Sequence, residues 1–149
     1  MRLSVCLIAL MPVVAMAQQA LPDKLSRETR DTLTIVIAQA KSAGLPTDAL
    51  YAKAAEGVLK KADDARILLA VRNLSRTLAD ARSALPAAAS SSTIVAAANA
   101  LQAGVERDVI TRYARVSRSS EADLSVAYVT LADLIASNVP MIAASRSVE

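Results

Sequence analysis

Apolar residues recur every three or four positions along most of the chain beyond residue 20. The cleanest run is Ile67, Val71, Leu74, Leu78, Ala81 and Leu85, with intervals of 4, 3, 4, 3 and 4. That spacing puts all six on one face of an α-helix packed lengthwise against neighbours. It serves packing within a chain and between chains equally, so this seam is also a candidate for self-association and the oligomeric state stays open.

The same period predicts the other elements. A first helix starts between Asp23 and Ser26 and runs to Ala43, with Leu33, Val36, Ile37 and Ala40 on one face. Gly44 ends it in the left-handed conformation that a residue without Cβ adopts freely. Pro46-Thr47-Asp48 opens a second helix with Thr47 as N-cap. Its apolar face is Leu50, Tyr51, Ala54, Val58 and Leu59, and Lys60-Lys61 suits the negative end of its dipole. Asp63 or Asp64 caps the third helix, where Arg76 and Asp80 lie one turn apart away from the seam.

Pro86 stops that helix. The low-complexity joint 86–92, Pro86 followed by alanines and serines, reads as a flexible connection inside one domain, or as a joint between two half-domains. A fourth helix covers Thr93 to Ala103, with Ile94, Val95, Ala98 and Leu101 apolar. A fifth spans Arg107 to Val116, with Val109, Ile110 and Tyr113 inward. Ser120-Glu121-Ala122-Asp123 resembles a capping box. It opens a sixth helix striped by Leu124, Ala127, Tyr128, Leu131, Leu134 and Ile135. Asn138-Val139-Pro140 closes that one, and a short helix or tail follows. The expected fold is all-α, with about six helices in antiparallel hairpins forming one small bundle.

The joints resemble one another. Ala43-Gly44-Leu45-Pro46 precedes Asp48 and Leu50, and Ala103-Gly104-Val105-Glu106 precedes Asp108 and Ile110. Ser137-Asn138-Val139-Pro140 is a degenerate third copy, since Asn tolerates the left-handed turn. Thr34-Ile35-Val36 is echoed by Thr93-Ile94-Val95. Two readings fit: a duplicated helical hairpin on either side of the joint, or common cap chemistry on Ala-rich helices. Ala43-Gly44-Leu45-Pro46, Glu56-Gly57, Lys60-Lys61 and Ile67 together resemble a type of uncharacterised exported bacterial protein with the arrangement A-G-L-P, E-G, K-G and a long following helix. The likeness covers residues 40 to 85 and departs at Lys61, where that arrangement has Gly. It implies bacterial export and helices, and no chemistry.

Composition sharpens the fold class. Among 149 residues, 32 are Ala, the best helix former, while Gly numbers 3 and Phe and Trp are absent. Sheet proteins draw on aromatic and β-branched residues and on glycine turns. The core must be Leu, Ile, Val and Ala, which lets helices approach closely. The net charge of +3 is too mild to predict a nucleic-acid partner by itself, and stacking aromatics are scarce.

The N-terminus changes the picture of where the protein works. Met1-Arg2, the apolar run Leu3–Leu10, Pro12 and the small-x-small site Ala15-Met16-Ala17 make a cleavable signal peptide over residues 1–17. The run is too short for a membrane span, which needs about 20 apolar residues. Cleavage at Ala15/Ala17 leaves 18–149 as a single helical domain without a membrane span, periplasmic or secreted. The one Cys, Cys6, leaves with the signal, so the mature domain is held by packing without disulfides.

Most site chemistries are closed. Without His or a mature Cys, Ser-His-Asp and Cys-His schemes and nearly all zinc, haem and copper sites are excluded. Three scattered glycines make no phosphate loop. Asp63 and Asp64 read as an N-cap with a dipole-favoured neighbour in preference to a metal or acid/base pair. Gly57, beside Glu56 inside the second helix, costs about 1 kcal/mol of helix propensity and so marks a close helix approach in preference to a ligand. Arg107, Arg112, Arg115 and Arg118 form the one basic cluster. They suggest a docking surface for lipid headgroups, envelope polymer or an acidic protein, against the plainer reading of a solvated face. The expectation is a non-catalytic exported helical protein that binds an envelope partner or anionic surface, with no cofactor, metal or nucleic acid. The alternative is a small-ligand or lipid carrier with an apolar cavity between its helices.

Overall fold

The computed structural model describes residues 20–116 and 121–146. Among these described residues seven helices follow one another: α1 (Arg27–Ser42), α2 (Asp48–Leu59), α3 (Asp64–Ala84), α4 (Ser91–Gln102), α5 (Arg107–Val116), α6 (Glu121–Ala136) and α7 (Met141–Arg146). The expected all-α architecture is what the chain adopts, and the short last helix is α7. The signal segment with Ala15 and Ala17, and the capping box at Ser120, lie outside the described residues.

Side-chain oxygens start three of the helices. Ser26 accepts the Thr29 amide, Asp63 the Arg66 amide at 2.8 Å, and Ser90 the Thr93 amide. Each supplies an acceptor to a first-turn N–H that the helix itself leaves unpaired. Asp64 also reaches across to the Ser26 amide at 3.0 Å, so the first residue of α3 holds the entry to α1. Thr47 does not act as the expected side-chain cap. Its backbone is already helical (φ −74°, ψ −23°), so its hydroxyl makes no capping bond, and its carbonyl accepts from Leu50 and Tyr51 instead.

Four helices end in the same way. After α1, Gly44 donates to Lys41 and Leu45 to Ala40. After α4, Gly104 donates to Leu101 and Val105 to Ala100. After α6, Asn138 donates to Ile135 and Val139 to Leu134. These are paired Schellman bonds around a left-handed residue. The fourth is at the end of α2, where Lys61 donates to Val58 and Ala62 to Gly57. Lys61 has φ +56° and Asn138 +62°, beside +69° at Gly44 and +100° at Gly104. The glycine missing at 61 has therefore not changed the turn. The turn at Gly44 and Gly104 is thus shared by the ends of α2 and α6. A second feature recurs twice among the described residues: a Ser-x-x-Thr cap (Ser26/Thr29, Ser90/Thr93) tied to the start of a later helix. Ser26 and Asp64 make the first tie, and the Thr93 and Ser125 hydroxyls, 2.9 Å apart, make the second.

The predicted seam organises the packing. In α3, Ile67, Val71, Leu74, Leu78 and Ala81 are buried, and the helix packs against α1, α2, α4 and α5. The seam is thus covered within the chain. Each such Leu or Ile contributes roughly 1.5–3 kcal/mol through burial. Gly57 lets α2 approach α3 closely, because a Cβ there would stand 2.6 Å from Cγ1 of Ile67. Of the joint 86–92, where composition suggested a flexible connection, residues 86–90 form a hydrogen-bonded turn and Ser91 and Ser92 already belong to α4. The Arg82 guanidinium donates to the carbonyls of Pro86 at 3.0 Å and Ala87 at 2.8 Å. The turn brings α4 back onto α3. In α4, Thr93, Ile94, Ala96, Ala97, Ala98 and Ala100 are all buried, on more than one face, between α3 and α6. Alanine carries no side chain beyond Cβ, so it permits this burial and leaves the helix without a marked apolar stripe.

Candidate docking surface

Helix α5 is fixed on its inner side and open on its outer side. Val109, Ile110 and Tyr113 are buried. The hydroxyl of the fully buried Tyr128 donates to the Ile110 carbonyl at 3.0 Å, joining α6 to α5. The Tyr113 hydroxyl donates to the Ser145 carbonyl in α7. Burial pushes the Tyr128 phenol up to about 12, so it is a neutral donor at any physiological pH.

The opposite face carries Asp108, Arg112 and Arg115, all exposed. With Thr111 they line a shallow depression of about 270 Å³. Three and four residues apart on a helix means neighbouring positions on its surface, so the two arginine side chains leave α5 at adjacent positions. Among the described residues neither has a carboxylate within ion-pair distance. Arg107 behaves differently. Its Nη2 donates to the Ser83 hydroxyl of α3 at 2.9 Å, which draws it toward the end of that helix. Of the four arginines picked out in the sequence, the structure thus groups Arg112 and Arg115, sets Arg107 to one side, and Arg118 falls outside the described residues.

The carboxylates singled out in the sequence, Glu56, Asp63 and Asp64, have structural partners. Glu56 lies between Lys53 Nζ at 2.7 Å and Lys60 Nζ at 2.5 Å. Those two cations hold its carboxyl down at about 2. Hydrogen bonds from Ser26 and Thr29 lower Asp64 as well. Asp63 caps α3 and meets Arg66 Nε at 3.2 Å. Among the described residues no group of three or more acidic, His or Cys side chains is arranged to hold a metal ion. Nor is any described helix long and apolar enough to cross a membrane.

A second surface feature was missed in the sequence. An open groove of about 560 Å³ runs between the start of α2 and the facing flanks of α4 and α6. Val95 and Ala96 form one wall, Val126 and Val129 the other. The signal for it was present: Val126 and Val129 are apolar, three apart, and fall outside the predicted stripe of α6. No family model, no curated protein and no solved structure matches the chain.

Proposed function

We propose that the chain is an exported, non-catalytic interaction module of the bacterial envelope, periplasmic or secreted, that docks an anionic partner through the outer face of α5. The observation that carries this reading is the exposed Arg112–Arg115 pair on a helix whose inner face is anchored to three other helices. Two neighbouring guanidiniums on an anchored helix suit the planar, bidentate binding of carboxylate or phosphate groups. The absence of His and of a mature Cys accords with binding without turnover. Export rests on the basic start, apolar run and Ala15-Met16-Ala17 site of the N-terminal segment.

The test is recovery of a partner from envelope extract on tagged mature protein, at low and high salt. Screening lengths shrink from about 10 Å at 0.1 M to about 3 Å at 1 M. The proposal expects a partner released at high salt and lost with Arg112→Glu/Arg115→Glu. A partner retained equally by the charge-reversed variant refutes it.

A further inference from the structure

We propose that the groove between α2, α4 and α6 binds an amphiphile of defined polarity, an apolar chain carrying a primary ammonium group. The groove shares no residue with the α5 arginine face. Its volume of about 560 Å³ falls within the range of small-molecule sites. Its apolar walls, Val95, Ala96, Val126 and Val129, face one another across the cleft between α4 and α6. Val126 and Val129 are 64% and 47% exposed, although the other side of α6 already supplies the core with Leu124, Tyr128 and Leu131. These valines add nothing to the core and are wetted in the free protein. An apolar chain laid between them releases that water.

The head group follows from charge. The chain carries +3 overall, yet among the described residues neither Lys nor Arg lines this groove, and the one ionisable lining residue among them is Asp48 at the start of α2. An anionic head would meet the Asp48 carboxylate with no cation to offset it, whereas an ammonium pairs with it. The remaining polar side chains of the lining are hydroxyls and one amide, and none of them carries a charge. The α4 and α6 walls are pinned relative to each other by the Thr93–Ser125 hydroxyl contact at 2.9 Å, so the groove is a standing feature of the packed helices.

Methyl-resolved NMR titration of the mature chain with octylammonium, octanol and octanoate tests this, because the three probes share a chain and differ in head. Saturable shifts are expected at Val95, Val126 and Val129. Octylammonium should bind most tightly, up to about fivefold better than octanol, since an exposed ion pair contributes no more than that. Octanoate should bind most weakly. Asp48→Asn should bring octylammonium to the affinity of octanol. Val129→Lys, at an exposed position that leaves the fold intact, should abolish octylammonium binding. Equal affinity for all three heads, or a preference for octanoate, overturns the head-group assignment. Absence of saturation, or equal shifts at the exposed Ile35, Leu59 and Leu69, overturns the site.

Discussion

Replacing Gly57 by Ala separates helix propensity from helix approach. In an open helix the change is favourable by about 1 kcal/mol. Here the new Cβ stands 2.6 Å from Ile67 Cγ1, 3.2 Å from Cδ1 and 3.5 Å from Cβ. Carbon atoms pack at about 3.5–4.0 Å, so the first of these contacts is too short by roughly 1 Å. Ile67 is 2% exposed, and its β-branched χ1 has one strongly preferred state in a helix. Either α2 lifts from α3 or Ile67 leaves its rotamer, and overpacking of this kind costs about 1–3 kcal/mol. The expected net effect of Gly57→Ala is a loss of about 0–2 kcal/mol. The decisive comparison is with Ile67→Ala, which removes the clashing Cγ1 and Cδ1 at a cost of about 2–5 kcal/mol. In that background Gly57→Ala meets no clash and should stabilise by about 1 kcal/mol. The two substitutions should therefore couple by about 1–3 kcal/mol, measured by urea unfolding of the four proteins followed by circular dichroism. If Gly57→Ala stabilises the native background by as much as it does the Ile67→Ala background, the close approach of α2 and α3 is refuted.

At the helix ends the backbone decides instead of space. A Cβ at Gly44 would meet nothing within 4 Å, but the residue has a φ of +69°, so Gly44→Ala should lose about 1 kcal/mol through the left-handed backbone alone. Lys61→Gly should gain about 0.5–1 kcal/mol by relieving the same strain, less the entropy glycine loses on folding; thermal unfolding of both variants checks the opposite signs. Tyr128→Phe should cost about 1 kcal/mol through loss of the bond to Ile110. In the native protein, ionisation of the unfolded phenol near 10 precedes that of the folded one at about 12, so stability should fall as pH rises across that window, and Tyr128→Phe should remove this component of the decline. Glu56 titrates in the opposite sense. Its folded value near 2 lies below the ordinary 4.5, so its contribution is complete above about 4.5 and is lost as pH falls toward 2. Glu56→Gln should flatten the acid limb of the stability profile there, by a small amount because the triad with Lys53 and Lys60 is solvated.

The parts of this fold that were legible in the sequence are those with a local cause. Ile67, Val71, Leu74 and Leu78 declare the seam by spacing, and Gly44 and Gly104 declare their turns because a left-handed residue favours glycine. Gly57 declared a close approach through its cost in a helix interior. Lys61 hid the turn it makes, since an ordinary residue adopts that φ only under the direction of the Schellman bonds around it. Helix α4 hid its wide burial because alanine has almost no amphipathic signature. Thr47 looked like a cap, yet its place as a cap depends on a ψ that the preceding turn does not give it. At the candidate site, the facing of Arg112 and Arg115 follows from helical spacing, whereas the diversion of Arg107 to Ser83 depends on where α3 ends in space. The groove is legible only in half, as the misplaced valines of α6, because its other wall and Asp48 come from helices far away in sequence.

The claim that the outer face of α5 is where a partner docks is tested most directly by site-specific photocrosslinking in cells. A photoreactive residue in place of Thr111 lines the same depression as Arg112 and Arg115 and leaves both arginines intact; one in place of the exposed Arg72 of α3 serves as the control. A discrete adduct is expected from position 111, none from position 72, and loss of the adduct when Arg112→Glu/Arg115→Glu is added. Adducts of equal yield from both positions, or an adduct from 111 that survives charge reversal, contradict the claim.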